Sequence, residues 1–196
     1  MNTKFLDATY IEKVPLTFFS DETGEPFRNC FNCERTLSDK GIFYCIEKAI
    51  KRYPAFDSQD TIFEHALCVD CQVRLHQSLS KESRQLISNF IASNVDFAAR
   101  KKDLMQSQKP DLEQWLSTCI VTGNHVSSES EYQIYCLCHG DSIVFDLMPF
   151  MVSGSAINQM QKLLSQQTRD QLDHYMGNFF SLPPELKPLD KPIMFF

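Results

Sequence analysis

Apolar and polar positions change rhythm several times along the chain. Val14 to Phe19 forms an apolar stretch interrupted by Pro15, which reads as an edge strand or an extended arm. Asp21-Glu22-Thr23-Gly24-Glu25-Pro26 follows with the residues that turns require. Residues 42–49 open with β-formers and set Phe43, Cys45 and Glu47 on one face, so a strand is predicted there. Tyr53-Pro54 and Asp57-Ser58-Gln59-Asp60 separate it from a second predicted strand at residues 61–67. Beyond Cys71 the period lengthens. Ser80 offers an N-cap, and Leu86, Ile87, Phe90 and Ile91 fall on one helical stripe that runs towards the cations Arg100-Lys101-Lys102. Those cations suit a helix C-terminus.

Lys109-Pro110-Asp111 is the expected boundary between a first subdomain, residues 1–110, and a second, residues 111–196. The second opens with a short element around residues 112–116 and a strand and turn at Cys119-Ile120-Val121-Thr122-Gly123-Asn124. Strands are predicted at residues 132–137 and 142–150, joined through His139-Gly140-Asp141. Two helices follow, over residues 155–164 and 166–176, with Gly177 as a stop and a Pro-containing tail after it. The expected class is therefore α+β, the second half being a small antiparallel sheet covered by two helices. Leu79-Ser80-x-x-Ser83-Arg84 is echoed by Leu164-Ser165-x-x-Thr168-Arg169, and Phe43-Tyr44-Cys45-Ile46 by Ile134-Tyr135-Cys136-Leu137. The echoes raise an internal duplication, although the spacing between the two motifs differs between the halves.

Composition narrows the class. Hydrophobic residues at 43% with 16 Phe demand a packed core, and no apolar run approaches the ~18 residues needed to span a bilayer. The first residues carry Lys4, Asp7, Glu12 and Lys13 rather than a signal-peptide core, so a cytoplasmic protein is expected. The net charge of −6 lies wholly in the second half, because the first balances 15 basic against 15 acidic residues. An acidic second half repels a phosphate backbone, which confines any nucleic-acid binding to residues 1–110. There Lys48, Lys51, Arg52, Arg74, Arg84, Arg100, Lys101 and Lys102, with Phe43, Tyr44 and Tyr53, are the candidate patch.

Cysteine spacing carries the clearest chemistry. Cys30-x2-Cys33 and Cys68-x2-Cys71 stand 34 residues apart. Two residues between thiolates let one turn aim both sulfurs at an ion, and two such turns close a tetrahedral shell for zinc. In a reducing compartment paired CxxC motifs bind metal more often than they form disulfides. Asn32 and His65 stand near enough in sequence to support the ligands. Cys119, Cys136, Cys138 and His139 form a weaker second set, because alternate positions on a strand set Cys136 and Cys138 about 7 Å apart.

The order of knuckle, two strands and helix over residues 27–92 resembles the treble-clef class of zinc fingers in arrangement. Asn29-Cys30-Phe31-Asn32-Cys33 stands for the knuckle and Cys68-Val69-Asp70-Cys71 for the helix start. The resemblance implies a structural zinc and transfers no activity. A treble-clef nuclease would need His65 on the hairpin and His76 on the helix. A zinc deaminase would need a separated His-x-Glu and a Pro before the second CxxC, both missing here. Four thiolates leave no open position for substrate, so the expected role is non-catalytic: a zinc-stabilised module that binds another protein. The alternatives are nucleic-acid binding through the first half and, with less support, cysteine or metal enzymology.

Overall fold

The computed structural model describes residues 10–39, 41–106 and 110–177. The N-terminal residues before Tyr10, Lys109 at the expected boundary and the Pro-containing tail lie outside the described residues. The chain is α+β. Its strands are β1 (Tyr10–Lys13), β2 (Phe43–Tyr53), β3 (Ser58–Cys68), β4 (Glu131–His139), β5 (Ser142–Phe145) and β6 (Phe150–Ser153). Its helices are α1 (Val69–Ser78), α2 (Lys81–Asn94), α3 (Phe97–Met105), α4 (Leu112–Leu116), α5 (Gly154–Gln161) and α6 (Gln166–Gly177).

All six strands belong to one antiparallel sheet, in the order β1-β5-β4-β2-β3 with β6 also on β4. Its centre is the long pairing of β2 with β4, from Phe43 opposite His139 to Lys51 opposite Glu131. Strands from both sides of residue 110 therefore share a single hydrogen-bonded sheet.

β2 is buried from Tyr44 to Ile50, a consequence of cover on both faces. Helices cover one face, where Gln72 of α1 hydrogen bonds to Cys45. The segment before Pro26 covers the other. There Phe18 is wholly buried, and Lys48 Nζ donates to Phe19 O and Asp21 Oδ1, both at 2.7 Å, with Glu64 at 3.2 Å. A buried ammonium persists only with such partners.

Several local expectations change. The stretch expected as an edge strand or extended arm holds a 3-10 turn at Leu16–Phe18, β3 begins at Ser58 inside the expected separator, and around Cys119 there are isolated bridges rather than a strand. β2 runs on to Tyr53 because Lys51, Arg52 and Tyr53 still pair with β3, and Pro54 then stops it. The stripe expected to run from Ser80 to Lys102 is broken: Val95 is extended (φ −126°, ψ 116°) and Asp96 starts a new helix by accepting from Ala99 N at 2.8 Å. The single strand expected at residues 142–150 is divided into β5 and β6 by Asp146-Leu147-Met148-Pro149, with a cis Met148–Pro149 bond. Between β4 and β5, Gly140 takes φ 59° in the expected tight turn.

Candidate metal centre

The four cysteines meet because three local structures deliver them. Cys30 and Cys33 sit on a turn closed by Cys30 N to Arg35 O and Glu34 N to Cys30 O, both 2.8 Å, with Glu34 at a positive φ of 58°. Asn29 Nδ2 donates to Glu34 O at 2.8 Å and holds that strained residue. Phe31 N donates to Ala66 O at 2.9 Å, so the turn is pinned to β3. Cys68 ends β3, and Cys71 lies in the first turn of α1, whose N-terminal dipole favours negative charge.

The four Sγ atoms lie within 4.8 Å of one another and can hold a metal ion. Cys33 Sγ and Cys68 Sγ are 3.8 Å apart, the edge expected of a tetrahedron with metal–sulfur bonds of about 2.3 Å. Donors surround the sulfurs. Cys68 N reaches Cys30 Sγ at 3.3 Å, Asn32 Nδ2 reaches Cys71 Sγ at 3.4 Å and Arg74 Nη2 reaches it at 2.9 Å. Desolvation acts against ionisation of Cys71, but the bonds from Asn32 and Arg74 outweigh it and bring that thiol down to about 7. Burial pushes Cys68 up to about 12. Arg35 pairs with Asp70 at 2.7 Å beside the cluster. Three sulfurs are buried and Cys33 is exposed, so an ion has a path in from solvent.

Asn32, the expected supporting residue of the knuckle, places its amide nitrogen 3.4 Å from Cys71 Sγ. His65 does something else. It is buried between Phe31 (ring centroids 6.5 Å) and Phe63 (5.9 Å), with Nε2 3.8 Å from Glu47 Oε2. It is enclosed there, and desolvation pushes its pKa down to about 4.

Cys119, Cys136, Cys138 and His139 are not brought together as a ligand set; among the described residues the four-cysteine group is the one cluster suited to a metal. Cys136 and Cys138 do approach, with Sγ atoms 3.6 Å apart in the core, closer than their backbone spacing implied. His139 stacks on Phe43 at 4.3 Å, and Cys119 accepts from Thr122 N and Ser153 N.

The candidate basic patch is largely consumed internally. Lys51 pairs with Glu131, Arg52 donates to Val126 O, Lys101 pairs with Asp146, and Arg100 donates to Trp115 O and Pro149 O while stacking on the Trp115 ring. Beside the metal centre lies a feature the sequence did not disclose, a groove of about 900 Å³ between residues 20–31 and the outer side of β3. Phe27, Phe31, Ile62 and Phe63 supply its apolar lining; the charged lining is Asp21, Glu22, Glu25 and Glu64 against Arg28, which pairs with Glu25 at 3.0 Å.

No family model, curated protein or solved structure matches this chain. Among the described residues no helix is long and apolar enough to cross a membrane.

Proposed function

We propose that Cys30, Cys33, Cys68 and Cys71 bind one structural zinc ion in a treble-clef-type finger, and that the chain is a non-catalytic intracellular module that binds another protein. The closed four-thiolate cluster carries this reading. With all four positions taken by sulfur there is no site for water or substrate, and the ion's work is to tie knuckle, strand and helix together. A reducing cell interior keeps the thiolates available. The partner's binding place is the groove along β3, the strand at one end of the sheet, where exposed Ile62 and Phe31 both line it. Strand addition to such an edge gives affinity through the main chain, and the pockets give specificity. The mainly acidic charged lining favours a basic, extended peptide segment over nucleic acid.

Fluorescence anisotropy with extended basic–apolar peptides, acidic counterparts and single-stranded DNA tests the reading. Basic peptides are expected to bind in a salt-sensitive way, with affinity falling at least about 10-fold in Glu22→Lys/Glu25→Lys. Binding of DNA in preference to every peptide, strengthened by that charge reversal, would sink it. The metal is tested separately by elemental analysis: about one equivalent of zinc is expected, lost in Cys33→Ser together with the cooperative melt. A Cys33→Ser protein with wild-type melting behaviour would refute the structural role.

A further inference from the structure

The backbone around Cys119 repeats the backbone around Cys30. Cys119 N donates to Asn124 O at 2.8 Å and Gly123 N to Cys119 O at 2.8 Å, as Cys30 N does to Arg35 O and Glu34 N to Cys30 O. Gly123 takes the positive φ (72°) that Glu34 takes in the first turn. Val126 N donates to Ser117 O as Leu37 N does to Arg28 O, and the isolated bridge Thr118–His125 matches Asn29–Thr36. The turn is pinned to its strand in the same way: Ile120 N donates to Met151 O at 3.0 Å, Phe31 N to Ala66 O at 2.9 Å. Ser153 N reaches Cys119 Sγ at 3.2 Å, Cys68 N reaches Cys30 Sγ at 3.3 Å.

The correspondence continues through the sheet and helices. Tyr132 opposes Ser153 and Tyr135 opposes Phe150, as Tyr44 opposes Cys68 and Glu47 opposes His65. A helix starts directly after Ser153 and after Cys68, and twelve residues on from each stands the serine that caps the next helix, Ser165 and Ser80. These two caps meet and exchange bonds reciprocally. Ser80 N donates to Thr168 Oγ1 at 3.0 Å, Ser165 N donates to Ser83 Oγ at 2.8 Å, and the two cap hydroxyls lie 2.9 Å apart. Reciprocal contacts of this kind are what a two-fold axis produces. The antiparallel β2–β4 pairing, with Glu47 opposite Tyr135, obeys the same symmetry.

From this set of matched bonds we infer that residues 117–177 are a second copy of the cysteine-bearing unit, and that the centre around Cys119 is a metal site that has lost three of its four thiolates. The positions of Cys30, Cys33, Cys68 and Cys71 are held there by Cys119, Thr122, Ser153 and Ala156. Hydrogen bonds take over the ion's role. Cys119 Sγ accepts from Thr122 N and Ser153 N, Ser153 Oγ accepts from Ala156 N at 3.3 Å, and the Thr122 and Ser153 hydroxyls lie 3.5 Å apart. A hydroxyl cluster joined by neutral bonds needs no deprotonated ligands and stands without metal. The acidic half is thus a metal-independent replica of the metal-dependent half.

Restoring the thiolates tests this. Thr122→Cys/Ser153→Cys/Ala156→Cys, refolded under reducing conditions with zinc or cobalt, is expected to carry twice the metal of the wild-type chain and about twice its thiolate-to-cobalt absorption. A variant with wild-type circular dichroism that stays at wild-type stoichiometry overturns the inference. Should the triple variant fail to fold, Thr122→Cys/Ser153→Cys leaves the buried Ala156 undisturbed and supplies three thiolates; added tetrahedral cobalt absorption is expected, and none above the wild type overturns the inference as well. The wild-type chain measured in parallel reports on the four-cysteine centre alone, so failure there is distinguishable from failure of the second site.

Discussion

At the centre of the sheet Glu47 is buried among polar groups from three other elements: His65 of β3, Tyr135 and Gln133 of β4, and Tyr175 of α6. Desolvation raises its pKa well above the usual range, against the opposing bond with Tyr135. The Tyr135 hydroxyl stands between two acceptors, Glu47 Oε1 at 3.2 Å and Gln133 Oε1, and its single proton serves one of them at a time. The linkage signs follow. His65 is held neutral, so its contribution is present above pH 6.5 and lost as pH falls towards about 4. Glu47 has its pKa raised on folding, so its contribution is full below pH 4.5 and is lost as pH rises. Glu47→Gln keeps a neutral amide there and removes the second slope, which amounts to at most about 1.4 kcal/mol per pH unit. Its urea midpoint is expected to gain on the wild type between pH 5 and pH 8. A difference that stays constant across that range would show that Glu47 ionises as readily folded as unfolded.

At the scale of elements, the helix caps hold the two halves together. Ser165 Oγ accepts from Thr168 N at 3.3 Å and also touches Ser80 and Ser83. Ser165→Ala is therefore expected to cost about 2 kcal/mol, above an ordinary cap at about 1. In a double-mutant cycle with Ser80→Ala the losses should couple by at least about 0.5 kcal/mol, read from denaturant midpoints. Strict additivity would mean that the two caps act alone. Ser80 was legible as a cap because a serine stands directly before a helical stripe. The helix break at Val95-Asp96 was not, because apolar positions continue past it and only the Asp96 side chain starts the new turn. Division of the strand at residues 146–149 was hidden likewise, since Leu147 and Met148 extend the apolar run across a gap in pairing. The four cysteines could be read directly, because CxxC spacing is a local constraint. Cys119 offered no CxxC signal: the Ser80 and Ser165 echo raised a duplication, but with Thr, Ser and Ala in the other three places, which residues answer to the cysteines shows only in backbone bonds.

The whole molecule depends on a contact that no local pattern announces. β2 and β4 each look like strands in sequence, but nothing in either specifies the other as neighbour, and the Lys109-Pro110-Asp111 punctuation points to separable halves. In the structure β2 lies between β3 and β4, and its residues from Tyr44 to Ile50 are buried. A fragment ending at residue 110 would keep the four cysteines and lose β4, exposing the edge of β2 and leaving Ile46 and Ile50 without their cross-strand neighbours Cys136 and Tyr132. An unpaired, apolar edge recruits another chain. The pseudo-two-fold arrangement supplies the replacement: β2 of a second fragment can take the place of β4, because the two strands occupy symmetry-related positions. Light scattering on zinc-loaded residues 1–110 is therefore expected to report a dimer or larger aggregate. Lys48→Pro in that fragment, which removes a backbone donor from β2, is expected to abolish any dimer. A monomeric fragment with a cooperative melt close to that of the full chain would show that the metal alone sustains the first half and that the β2–β4 pairing is dispensable to it.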